Sequence, residues 1–374
     1  GIYVSAYVAG TGDMMDKIIE EIDRTELNAV VIDVKDDQGR ITYAMDSPTV
    51  NEIGACQVFI RDMPALMAKL KEHGIYTIAR VVAFRDPYLA EQKPEWSLHV
   101  ADDKIYRDNK GLAWVNPYKK EVWDYLVEVG KKAGEVGFDE IQFDYIRFAV
   151  DRTMNDVVFD DGDTQGRNKT QAITEFISYA HDELAKEGLF VSADVFGAIM
   201  RSEEDAAAVG QEYEDMAEYL DYICPMIYPS HYGPGNFGIE YPDTQPYDTI
   251  LNALNGSREL LAASAKDDTP QAVVRPWLQD FTASYLEHYI RYGDEQVRQQ
   301  IQAVYDAGYD QWILWDAGVS YHYGGLLTPE EAAKEDERIA RSRAAAETEG
   351  GSCGQYSRGE YSRGECPCGA YSCG

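Results

Sequence analysis

Two aspartates interrupt apolar runs in which a carboxylate is out of place. Ile141-Gln142-Phe143-Asp144-Tyr145-Ile146 and Val191-Ser192-Ala193-Asp194-Val195-Phe196 both read as strands, and each carries one Asp near its end. Leaving a carboxylate unpaired in such a run is expensive. Alternation sends Gln142 and Asp144 to one side of the strand, opposite Phe143 and Tyr145. If the two runs are neighbouring strands, they lie roughly 4.8 Å apart. Their carboxylates can then reach the separation of about 5–5.5 Å at which one attacks a sugar and the other handles the proton, or the wider gap of about 6.5–9.5 Å that admits a water. That chemistry needs one ionised carboxylate and one that keeps its proton. Arg80 or Arg147 beside Asp144 would serve the first need, and an apolar neighbour of Asp194 such as Phe196 the second. The competing reading is that Arg80, Arg147 or Arg275 simply neutralises each Asp. Buried ion pairs stabilise little net, so a purely structural cluster of this size is poorly motivated.

The elements that must position these residues alternate regularly. Strand-like runs at Ile2–Val8, Ala29–Lys35, Tyr76–Phe84, Glu140–Phe148, Phe190–Phe196, Tyr222–Tyr228, Val273–Leu278 and Gln311–Asp316 are separated by helical stretches, with a hairpin excursion around Ile41–Met45 and a long one through Trp96 and Trp114. Eight βα units with strands apolar throughout predict a parallel sheet buried on both faces, and closure into a single (β/α)8 TIM barrel over residues 1–346. The runner-up, an open doubly wound sheet, lacks its glycine-rich phosphate turn, since Ala9-Gly10-Thr11-Gly12 is too short a match.

Barrel enzymes work at the carboxyl ends of their strands. The polar and aromatic residues there form the candidate substrate-binding set: Tyr7, Asp33, Lys35, Arg80, Tyr145, Arg147, Tyr228, His231, Arg275, Trp277, Gln279, Trp315 and Asp316, around Asp144 and Asp194 as the catalytic pair. The chain has 27 tyrosines and six tryptophans, flat rings suited to stacking on sugar faces, although most such rings in any protein are packing. His231 reads equally well as a hydroxyl ligand or an ordinary loop histidine. Asp160-Asp161-Gly162-Asp163 lacks the spacing of a calcium loop and reads as a solvated acidic turn. No Gly-x-Ser-x-Gly elbow, His-Glu-x-x-His, P-loop or dinucleotide fingerprint occurs, so no cofactor and no metal is expected.

Composition narrows the partners. A net charge of −32 disfavours nucleic acid and anionic membranes, and leaves neutral polymers unopposed. No apolar run reaches the roughly 20 residues of a membrane span. A monomer is expected. Cys56 and Cys224 stand alone, whereas Cys353, Cys366, Cys368 and Cys373 crowd a glycine-rich tail at 347–374 in which Tyr-Ser-Arg-Gly-Glu repeats. That tail is expected to be disordered.

The stretches Lys35-Asp36-Asp37-Gln38-Gly39, His73–Arg80, Trp114-Val115-Asn116-Pro117-Tyr118, Gly137–Phe148 and Pro225–Tyr232 closely resemble a bacterial glycosyl hydrolase domain family placed among the TIM-barrel glycosidases. The resemblance runs from Gly1 to about Trp315. It implies a barrel, a sugar-cleaving role, and an extracellular or cell-envelope location, but supplies no substrate. More distantly, an Asp ending the fourth strand resembles the nucleophile of α-amylase-like and α-galactosidase-like barrels, which implies Asp144 as nucleophile and α-linked substrates. Two departures stand against the α-amylase likeness: Gln142 replaces the usual Arg, and Asp194 stands where a Glu acid is typical. The expected function is therefore a retaining glycoside hydrolase acting on a poly- or oligosaccharide. The alternative is a non-catalytic carbohydrate-binding barrel of the cell envelope. A metal-dependent hydrolase is a poor third, because the six histidines form no ligand-like pair.

Overall fold

The computed structural model describes residues 1–266 and 269–349. Eight parallel strand positions close on themselves: β1 (Ile2–Val4), β2 (Ala29–Lys35), β3 (Tyr76–Val82), β4 (Glu140–Asp144), β5 (Phe190–Phe196), β6 (Tyr222–Met226), β7 (Val273–Val274 and Trp277–Gln279) and β8 (Ile313–Trp315). Each neighbours the next in sequence, and β1 pairs with both β2 and β8, which closes the barrel. The predicted (β/α)8 architecture is the observed one. The cysteine-rich tail lies outside the described residues apart from its first three, 347–349, on which the closing helix Pro329–Glu349 ends. Among the described residues no helix is long and apolar enough to cross a membrane.

The helices dock through apolar stripes. Lys120–Glu135 buries Val122, Trp123, Leu126, Val129 and Ala133, and Asp294–Asp306 buries Val297, Ile301 and Val304. This layer forms one large core outside the sheet. A second, smaller core fills the barrel itself with Tyr3, Val31, Ile78, Tyr222, Cys224, Tyr228, Trp277 and Ile313.

Three of the departures from the apolar runs have a clear local reason. β1 ends at Val4 because Ser5 caps a helical turn, Ala6–Ala9, with its hydroxyl accepting from the Val8 amide. β4 stops at Asp144 because Tyr145 takes a positive φ of 50°. β7 is split at Arg275-Pro276, where proline has no amide hydrogen for the ladder.

The amino end of the barrel is closed by a buried polar knot. Both carboxylate oxygens of Glu140 accept from Arg275 Nη1, at 3.0 and 3.1 Å, and also from Ser192 Oγ (2.5 Å) and Tyr76 Oη (3.0 Å). Arg275 reaches Gln311 at 3.0 Å and lies 3.7 Å from the centroid of the Tyr222 ring. Arg275 is thus at the end opposite the strand carboxyl termini, beside the first residue of β4. This corrects its expected place in a substrate site: Arg275 precedes the second half of the seventh strand, and its guanidinium runs down to Glu140 at the base. The knot is structural, and breaking it leaves a buried charge alone. Arg275→Met should lower stability by about 3–5 kcal/mol, read as a fall in the urea midpoint. An unchanged midpoint would show that Glu140 does not depend on its partner.

Candidate active site

At the carboxyl end, β2, β3, β4 and β5 present a polar layer. In β3–β4 register Val82 pairs with Asp144, and in β2–β3 register Asp33 pairs with Arg80. On the other side Ser192 pairs with Gln142 and Ala193 with Phe143, so the next step of the same register sets Asp194 beside Asp144. The two aspartates expected to meet do so on neighbouring strands, both facing the barrel interior.

Arg80 organises the layer. Its Nε and Nη2 donate to one oxygen of Asp144 at 3.0 and 2.5 Å, and its Nη1 donates to Asp33 at 2.7 Å. Asp37 lies within 3.4–3.5 Å of the same guanidinium and is also paired with Arg85. Burial works against the charge of Arg80, but Asp144, Asp33 and Asp37 outweigh it and hold the guanidinium protonated. The second oxygen of Asp144 accepts from the Tyr145 amide at 2.6 Å. The positive φ of Tyr145 turns the chain out of the ladder immediately after this amide. Such a conformation costs energy in a non-glycine residue and is held only by its surroundings.

Asp194 lives in a different environment. It is 2% exposed, and Trp277 Nε1 donates to its Oδ1 at 2.6 Å. Burial and then the adjacent charge of Asp144 push its carboxyl well above the usual range, while Trp277 and Arg80 oppose this only in part. Phe196, the apolar neighbour anticipated from sequence, packs against the Arg147 guanidinium. Asp37 is the reverse: burial would raise it, but Arg80 and Arg85 together hold it below the ordinary carboxylate value. Asp33 is raised by burial against the pull of Arg80 and Tyr3, and both its oxygens are taken, by Arg80 and by Tyr3 Oη at 2.6 Å. Among these carboxyls Asp194 is therefore the one placed to hold a proton while facing Asp144.

Rings complete the mouth. Trp315 lies 4.4 Å from Tyr3 and 5.7 Å from Trp277 by ring centroids, and Tyr228 meets Phe281 and the exposed His231 edge-on. Tyr228 itself is buried, its hydroxyl pushed up by burial and by Asp194 and Asp144. Arg147 lies among Trp114, Tyr145 and Phe196.

The structure does not bring every expected residue into this cluster. A register shift between Asp33 and Lys35 turns Lys35 out of the barrel. There it is fully buried, ion-paired to Asp86 at 2.6 Å, and donates to the Val82 carbonyl. This β-bulge is invisible in the apolar pattern and removes Lys35 from the substrate set. Gln279 is also buried: its amide nitrogen donates to Asp243 and the Phe281 carbonyl, and its oxygen accepts from Ser230, which braces two loops. Asp316 caps a turn through Gly318 and Ser320 amides. Tyr7 stands 64% exposed on the Ala6–Ala9 turn, displaced from the strand by the early stop. Tyr3, Asp37 and Trp114 were not among the expected site residues. Alternation on β1 could have found Tyr3. Asp37 was in a quoted motif. Trp114 is carried in by a long excursion, whose return is fixed where the Val115 amide donates to the Phe84 carbonyl at 3.0 Å.

Comparison with known proteins agrees with the barrel. No curated protein matches the chain. The glycoside hydrolase domain of PgaB (BpsB) from Bordetella bronchiseptica is 11% identical, with a TM-score of 0.57 over 84% of this chain and 93% of that one. The α-galactosidase TtGalA from Thermus thermophilus is 13% identical, with a TM-score of 0.51 over 91% of this chain and 61% of that one. A hypothetical protein from Ruminiclostridium thermocellum is 37% identical over 52% of this chain and 97% of its own, with a TM-score of 0.48. The two identities of 11% and 13% establish shared fold alone. The family model described as "Putative glycosyl hydrolase domain" matches residues 1–321, and the chain belongs to that family.

Proposed function

We propose that the protein is a glycoside hydrolase that cleaves a poly- or oligosaccharide by a retaining mechanism, with Asp144 as nucleophile and Asp194 as acid and base. The observation that carries this is the unequal treatment of two neighbouring carboxyls. Asp144 is ion-paired to Arg80, and Asp194 is pushed up by burial beside it. An acid and a nucleophile at one mouth need that division. Oδ1 of Asp194 accepts from Trp277, so the proton belongs on Oδ2. In the first step Asp144 attacks the anomeric carbon while Asp194 gives its proton to the leaving oxygen. In the second, Asp194 takes a proton from water, which displaces Asp144. Trp315, partly exposed above the buried Tyr228 and Trp277, supplies ring surface for the sugar. The family supports the sugar-cleaving class, and the α-galactosidase likeness makes α-linked glycans the first substrates to try.

A second reading has one observation in its favour. Asp194 exposes only 2% of its surface, which suits a barrel that binds carbohydrate without cleaving it.

The test is a panel of α- and β-linked glycans with the wild type, Asp144→Asn and Asp194→Asn. Asp144→Asn should abolish turnover of every substrate. Asp194→Asn should cut turnover of natural glycans by about 10²–10⁴-fold, yet spare aryl glycosides, whose leaving group needs no proton. Binding without turnover in the wild type would give the second reading instead.

The pH dependence follows from the same carboxyl. Because the folded barrel raises Asp194, its protonated form persists above the ordinary carboxylate range and is lost as pH rises through the raised value. Activity should therefore fall on the alkaline side, and so should stability, since ionised Asp194 faces Asp144 in a dry site. Melting temperatures measured from pH 5 to 10 should show an alkaline decline in the wild type that is shallower in Asp194→Asn. Parallel curves would refute the assignment.

A further inference from the structure

Three arginines stand at the carboxyl rim, and two are neutralised there. Arg80 serves Asp33, Asp37 and Asp144, and Arg85 pairs with Asp37. Arg147 is different. Among the described residues it pairs with no carboxylate, and its hydrogen bond runs from Nη1 to the Phe148 carbonyl at 2.9 Å. Its guanidinium carbon lies 4.6 Å from the ring centroid of Phe196, 5.1 Å from Trp114 and 5.2 Å from Tyr145. This cage half-buries the cation without giving it a countercharge. Burial accordingly pulls its pKa down, with Tyr145 and Asp144 too weak to restore it. A guanidinium nevertheless remains charged in proteins.

Its place in the fold is specific. Arg147 comes three residues after Asp144, and Phe196 two residues after Asp194, so the cation lies across the ends of the two strands that carry the reacting pair. Tyr145 has a second guanidinium on it: Arg85 stacks 3.5 Å from its centroid, and Arg85 Nε is buried with no hydrogen-bond partner. Two guanidinia with unused donors thus flank one ring at the mouth, in a chain whose net charge is −32. A hydroxyl would accept a hydrogen bond from them but would not neutralise a half-buried cation. A carboxylate does both, and its two oxygens match the planar fork.

We propose that Arg147, with Arg85 across Tyr145, binds a carboxylate carried by the sugar in this site, so that the substrate is an acidic glycan of the hexuronate kind. This deepens the glycosidase reading and rests on it only for what happens after binding.

Calorimetry separates the two. In an Asp194→Asn background, which slows turnover of natural glycans by about 10²–10⁴-fold, α- and β-linked hexuronate oligosaccharides are compared with their methyl esters and with sulfated neutral oligosaccharides. At least one acidic oligosaccharide should bind at least tenfold more tightly than its methyl ester. Arg147→Gln should bring the acid down to the level of the ester while changing the ester less than twofold. Equal binding of acid and ester, no binding of any uronate, or tighter binding of the sulfated sugars would overturn the proposal. The ester comparison needs no change at Arg147, so it holds even if that variant folds poorly. Uronate binding without wild-type turnover would leave this inference standing and remove the hydrolytic one. Turnover of neutral glycans with no preference for acids would do the opposite.

Discussion

The carboxyl end of this barrel depends on one buried cation. Arg80 is 2% exposed and meets Asp144, Asp33 and Asp37, which arrive from the fourth strand, the second strand and the loop after it. Desolvating that many charges is costly, and mutual attraction returns the cost only where geometry is good and the remaining oxygens are satisfied. They are: Tyr3 serves Asp33, the Tyr145 amide serves Asp144, and Arg85 serves Asp37. Removing Arg80 would leave three carboxylates crowded together, so the register of β2, β3 and β4 and the rotamer of Asp144 are tied to this side chain.

The barrel has a second buried guanidinium, and the contrast explains why only one end looks reactive. Arg275 and Glu140 at the base form a closed pair whose other contacts, Ser192, Tyr76 and Gln311, complete it. The two groups differ in sign and cancel. At the mouth Arg80 faces several acids, and one acid there, Asp194, has Trp277 rather than a cation as its partner. Charge imbalance is what stores chemistry in a site. The base therefore holds the fold together, and the mouth holds carboxyls with unlike partners, Arg80 for Asp144 and Trp277 for Asp194.

Much of this was legible in the residues themselves. The bounds of the second and fifth strands match their apolar runs residue for residue, because strands buried on both faces carry an uninterrupted signal. Asp144 and Asp194 were legible for the complementary reason: a carboxylate in such a run is an anomaly. What escaped was register by a single residue and the reach of a side chain. The bulge before Lys35 turns that residue out, and the Arg275 guanidinium runs down to Glu140 at the base. Gln279 and Asp316 sit at strand ends as expected, yet close their hydrogen bonds on nearby loops. Pattern reads which face a strand buries, but it does not read a single inserted residue.

Tyr145 shows how local strain and site chemistry are joined. Its φ of 50° ends the fourth strand immediately after Asp144, its amide donates to that carboxylate, and its ring lies against Arg85 and Arg147. A β-conformation at this residue would continue the ladder and carry the ring elsewhere. The backbone is held in place from the neighbouring strand, where Ala83 and Phe84 amides donate to the carbonyls of Asp144 and Tyr145 at 2.7 and 3.2 Å. One residue thus holds the carboxylate below it through its amide and the cationic rim above it through its ring, so these two parts of the site cannot be repositioned independently.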